Sequence, residues 1–70
     1  MARQKDGPFE DHNENGQLEE RGTHVADERD GPAEFYHENG QLEMKGIFNM
    51  GRMCGVWTLG GGGTRPFPSC

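Results

Sequence analysis

The sequence predicts an all-β fold: tandem antiparallel β-hairpins laid side by side into an extended single-layer sheet. Three observations carry that expectation. The chain repeats itself at a period of 24 residues, with 11 of 24 positions identical between residues 6–29 and 30–53. Asp6-Gly7-Pro8 returns as Asp30-Gly31-Pro32, and Glu14-Asn15-Gly16-Gln17-Leu18-Glu19 returns unchanged as Glu38-Asn39-Gly40-Gln41-Leu42-Glu43. Each copy carries an Asn-Gly pair between two short runs, the strongest short-range signal for a hairpin. Finally, the spacing of Gly and Pro leaves no uninterrupted apolar pattern of helical period.

The repeat divides the chain into four parts. Residues 1–5 are an N-terminal lead, 6–29 a first repeat, 30–53 a second, and 54–70 a partial third repeat with a Gly-rich tail. Asn15-Gly16 and Asn39-Gly40 are the expected turn-forming pairs, read as type I′ because both central residues of that turn need positive φ. In the second copy the strands are expected near Ala33–Glu38 and Gln41–Phe48. Gly22 and Gly46 interrupt the second strands, which signals a bulge or a close backbone approach. Segments 26–31 and 49–55 are then the turns between hairpins. Pro8 and Pro32 sit at strand starts, where a missing N–H costs least. Apolar or aromatic positions recur at Phe9, Ala33 and Trp57, at Leu18 and Leu42, and at His24 and Phe48, so one face should be buried and the other polar. Glycines 60–63 either close a last hairpin with Thr64–Phe67 returning or leave the tail unordered.

Composition bounds the function. The chain has 70 residues, 30% hydrophobic and 27% charged, with a mean hydropathy of -0.99. That is enough for one small domain with little central core. A stack of repeats suits such material, because each unit needs only its neighbours. The net charge of -5 opposes binding to nucleic acid, where phosphate neutralisation supplies most of the affinity. It also opposes anionic lipid. No stretch has the apolar length of a membrane helix, and the basic start is not followed by the apolar run of a secretory signal, so a cytoplasmic protein is expected. In that compartment Cys54 and Cys70 are expected as free thiols.

The residues that could carry chemistry argue for a binder. His12, His24, His37, Cys54 and Cys70 are widely spaced and contain no metal-ligand pair, so no metal is expected. The carboxylates recur with the repeat, as a solvated face does, and a flat ribbon offers little burial to separate their pKa values. The run Gly60–Gly63 is followed by Thr64-Arg65-Pro66 and lacks the Lys-Ser/Thr and helix of a phosphate loop. No enzyme and no cofactor are expected.

The pattern D-G-P-x-E-x-x-x-E-N-G-Q-L-E-x-x-G resembles the MORN repeat in its bacterial variant form, over about residues 6–59. The family's aromatic positions are filled by Phe9, Tyr36, Phe48 and Trp57, while His12 and His24 take such positions in the first copy and Ala33 takes one in the second. Proteins with this variant are commonly associated with a YwqK-type antitoxin role. The resemblance therefore implies a non-enzymatic protein-binding module, with a basic toxin as one candidate partner. Phe35, Tyr36, Phe48 and Trp57 are the candidate partner-binding residues, because aromatics on a rigid strand surface make good anchors. They are equally the obvious candidates for the core. Two alternatives stand beside this: a structural protein that self-associates through its edge strands, and a membrane-associated scaffold of the kind known among eukaryotic MORN proteins.

Overall fold

The structure, a computed structural model, describes residues 5–70; of the expected N-terminal lead, residues 1–4 lie outside the described part. Among the described residues seven strands form: β1 (Gly7–His12), β2 (Leu18–Val25), β3 (Glu28–Arg29), β4 (Gly31–Tyr36), β5 (Leu42–Asn49), β6 (Arg52–Leu59) and β7 (Thr64–Pro66). They build one antiparallel sheet in the order β1-β2-β4-β5-β6-β7, with β3 also paired to β2. Strands β3 and β4 lie one after the other along β2, parted at Asp30. One period later, β6 runs through the equivalent position without a break. The molecule measures 42 × 35 × 12 Å, and the short dimension is that of a single sheet with its side chains.

The hairpin ends differ from the sequence expectation in kind. Type I′ would place both Asn and Gly at positive φ, yet only Gly16 (84°) and Gly40 (87°) are there. Gly16 N–H donates to Asn13 O at 2.9 Å and Asn13 N–H to Gln17 O at 2.9 Å; His37, Gly40 and Gln41 repeat the arrangement at the same distances. This is the longer hairpin loop, a type I turn followed by a left-handed glycine and a bulge. Glu19 and Glu43 are the extra residues: Asp11 pairs with Glu20 but His12 with Leu18, and Phe35 with Met44 but Tyr36 with Leu42. One bulge thus falls beside each turn; the β5–β6 register also shifts between Lys45 and Ile47, so Gly46 marks an irregularity as well as a close approach, and Gly22 serves the close approach.

The tight two-residue reversals lie near the end of each repeat, where one hairpin passes to the next strand. Ala26 (φ 52°) and Asp27 (71°) close one, and Met50 (52°) and Gly51 (84°) the next. The expected inter-hairpin segments 26–31 and 49–55 are therefore mostly strand. The Asp-Gly-Pro motif explains how Ala and Met come to occupy this conformation. Asp6 Oδ1 accepts from Ala26 N–H at 3.0 Å, and Asp30 Oδ2 accepts from Met50 N–H at 3.2 Å. Each repeat opens with a carboxylate that holds the corner closing the same repeat.

The core is one aromatic cluster. Ala33, Phe48 and Trp57 are buried, with Phe35, Met44, Met53 and Phe67 packed against them. Trp57 is 0% exposed. Its ring sits edge-on to Phe48 with centroids 5.3 Å apart, and its Nε1–H donates to Cys54 O at 3.1 Å. Full burial with the indole N–H satisfied makes Trp57 the main anchor, worth roughly 3–5 kcal/mol against truncation to Ala.

The tail forms the closing hairpin. Gly62 N–H donates to Leu59 O and Leu59 N–H to Gly63 O, both at 3.1 Å, so the run of glycines makes the same kind of loop as the two Asn-Gly ends. Strand β7 then returns along β6, pairing Thr58 with Thr64 and Val56 with Pro66. This return brings Cys70 back to Cys54, and the two form a disulfide across a separation of 16 residues. The expectation of two free thiols is overturned. Spacing along the chain says nothing of this pairing; only the last hairpin makes the two neighbours.

Candidate functional site

Successive residues of a strand point to opposite faces, so the register sorts every side chain. One face, here the closed face, carries Phe9, Glu20, Gly22, His24, Ala33, Phe35, Met44, Gly46, Phe48 and Trp57. Its close packing depends on the two glycines that interrupt β2 and β5. A Cβ on Gly46 would stand 2.2 Å from Cδ2 of Trp57, and one on Gly22 would stand 3.2 Å from Cε1 of Phe9. In the first repeat the ring of Phe9 lies 4.1 Å from that of His24, a flat polar ring in the slot that Phe48 fills one period later.

A half-buried ion pair also belongs to this face, with Glu20 inside and Arg29 reaching solvent. Glu20 is buried and receives both Nε–H and Nη2–H of Arg29, the latter at 2.9 Å. Hydrogen bonding to Glu20 raises the Arg29 pKa above its ordinary value, against an opposing effect of burial. The guanidinium carbon lies 5.9 Å from the Phe48 ring centroid. One period on, Met44 and Met53 stand at these two places and join the apolar cluster.

The opposite, open face has a different organisation. A single row crosses the sheet through Glu10, Arg21, Glu34, Lys45, Thr58 and Thr64, each the register partner of the next. Arg21 bridges Glu10 at 3.1 Å and Glu34 at 3.5 Å. Tyr36 donates its hydroxyl to Glu34 Oε1 at 3.0 Å, which, with some burial, raises its pKa above the ordinary 10.0. Beside this row lies a shallow trough of about 490 Å³, lined by Pro32, Ile47, Val56 and Thr58 and by the charged Arg21, Glu34 and Lys45. Ile47 is 47% exposed and Val56 65%. In the trough they form an exposed apolar step with charges at its rim.

The sequence-predicted aromatics do not share one surface. Phe48 and Trp57 are buried and Phe35 packs against them, all on the closed face. Tyr36, next in the chain to Phe35, points to the open face. Asn15, Gly16, Asn39 and Gly40 sit at the hairpin ends, away from the trough. Ile47 fell inside an expected strand and Val56 in the partial third repeat, and each adjoins a core aromatic; alternation sends them to the other face. Among the described residues no group of three His, Cys, Asp or Glu side chains is placed to hold a metal ion.

Comparison with known proteins agrees with the hairpin geometry. No curated protein matches the chain, and neither does any solved structure. The MORN repeat variant matches residues 5–26 and again 29–50. The first match is the β1–β2 hairpin with its capping Asp6, and the second is the β3/β4–β5 hairpin with Asp30. Together they cover more than half of the chain, with the shared Asn-Gly loop at the centre of each unit: the protein belongs to the MORN repeat variant family.

Proposed function

We propose that this repeat module is a non-enzymatic binder of a partner protein, and that the partner docks on the open face at the trough between β4, β5 and β6. The exposed step of Ile47 and Val56 carries the reading. A single-layer sheet can cover only one face with its own side chains, and here Phe35, Phe48, Trp57, Phe67, Met44 and Met53 all serve the closed face. The open face keeps apolar surface ringed by charge, the composition of an interface with a polar rim. The net charge of -5 favours a partner of net positive charge, by steering its approach. A basic toxin is one such partner; that finer role rests on the family resemblance, with no matching curated relative behind it.

Self-association along the edges is the weaker reading. Edge strand β1 carries Pro8 and, on its closed face, Asp11; β7 is three residues long, ends in Pro66 and is followed by Pro68. Proline, short length and inward charge are the devices that blunt sheet edges. For the membrane reading, no helix among the described residues is long and apolar enough to cross a bilayer, and the acidic balance opposes anionic headgroups.

The test is affinity capture with the full chain, in wild-type form and as Ile47→Glu with Val56→Glu. Both side chains are exposed, so the fold should survive, as circular dichroism can verify. A protein held by the wild type and lost from the double variant is expected. Equal recovery by both forms would overturn the proposed face.

A further inference from the structure

The C-terminal segment takes the place of a third return strand. In the first two repeats that place is filled by eight-residue strands, β2 and β5. Here β7 supplies only three paired residues. Beyond it the chain is held to β6 by two backbone bonds, from Phe67 N–H to Gly55 O and from Gly55 N–H to Pro68 O, each 2.8 Å. Phe67 covers the tryptophan edge-on at 6.0 Å between centroids. The disulfide to Cys54 then fixes the last residue. Against this small hold stands a loop of four consecutive glycines, the residues that lose most conformational freedom on ordering.

We propose that the Cys54–Cys70 cystine is a redox latch: reduction by a dithiol releases Thr64–Cys70 from β6 and uncovers Trp57, while the sheet of the first two repeats stays folded. Cys70 is exposed and Cys54 is 4% exposed, so a reductant meets the latch from the Cys70 side. One thiolate of the dithiol forms a mixed disulfide with one cysteine as the cystine S–S bond breaks, and the other cysteine leaves and takes up a proton. The second thiol displaces the mixed disulfide. The cystine gains two electrons and two protons, and the dithiol becomes a cyclic disulfide. The remaining aromatic neighbours of Trp57 belong to β4 and β5, not to the tail, which is why release does not require global unfolding. Strand β7 also pairs with Val56 and Thr58 beside the trough, so the latch is read at Trp57 on the closed face, a signal that the proposed docking on the open face does not supply.

Trp57 is the one tryptophan of the chain and reports its own exposure. The full chain is treated with excess dithiothreitol while emission, acrylamide quenching and amide exchange are followed. A red shift and a severalfold rise in the quenching constant are expected, with protection retained in β2 and β5 and all changes reversed on reoxidation. Cys70→Ser should show the same emission without reductant. Phe67→Ala, which keeps the cystine, should raise quenching less than reduction does. The latch is refuted by unchanged emission after both thiols titrate, by loss of protection throughout β2 and β5, which would mark a staple of the whole sheet, or by two titratable thiols in the unreduced protein.

Discussion

The indole of Trp57 rests against the α-carbon of Gly46, so closely that a methyl group there would overlap Cδ2, Cε2 and Cγ at 2.2–2.5 Å. The glycine of the repeat is thus a seat for an aromatic ring from the neighbouring strand. Gly46→Ala should destabilise the protein by about 3 kcal/mol, the upper part of the range for overpacking a core. Gly22→Ala meets Phe9 at 3.2 Å and the Ala33 methyl at 3.4 Å, distances that a small shift relieves. It should cost under about 1 kcal/mol. Urea denaturation of the two variants checks the order, and equal losses would contradict the seating of Trp57.

The Glu20–Arg29 pair can be compared with its apolar counterpart inside the same molecule. Arg29→Met alone leaves the buried Glu20 carboxylate without its two donors and should cost about 2 kcal/mol, somewhat less for the solvent that reaches the Arg29 side. Adding Glu20→Met reproduces the Met44 and Met53 arrangement and should recover most of that loss. A double-mutant cycle from denaturant curves measures the coupling.

The raised pKa of Tyr36 fixes the sign of a pH effect. The folded state holds the phenolic proton more tightly than the unfolded chain does, because the hydroxyl donates to Glu34. This contribution is fully present below pH 10, the unfolded value, and is lost as pH rises through the folded pKa. Tyr36 is the only tyrosine in the chain, so phenolate absorbance follows it alone. The midpoint should lie above 10 in the wild type, and Glu34→Gln should move it down. The stability advantage over Tyr36→Phe should fade at alkaline pH.

The corner at Met50 invites stabilisation. Met50 is 71% exposed and holds φ at 52°, where Asn is tolerated far better than an unbranched apolar residue. Met50→Asn makes an Asn-Gly pair in a true two-residue reversal and should add roughly 0.5–1 kcal/mol. Asp30→Ala, which removes the acceptor for the Met50 N–H, should cost about 1 kcal/mol. Thermal unfolding of both variants reads the opposite shifts.

Much of the architecture was legible without coordinates, because a repeat of period 24 states its unit twice. Local chemistry determined the strand-turn-strand unit, the absence of helices among the described residues, the Asn-Gly ends and the stripe through Phe9, Phe48 and Trp57. Turn type was less legible, since Asn-Gly suits both the two-residue loop and the longer bulged one; the register of the flanking strands chooses between them. The aromatic set was located as residues but not as a surface. Whether Phe35 and Tyr36 act together depends on which face each takes, and neighbours in a strand are always divided.

The sequence by itself determined the hairpin unit and its repetition, for these follow from contacts between residues close along the chain. Only the tertiary structure decided the exchange of an ion pair for two methionines between repeats, the glycine seat under Trp57, the open trough at Ile47 and Val56, and the cystine that ties down the tail. Each of those joins side chains from different strands, and cross-strand register sets their distance.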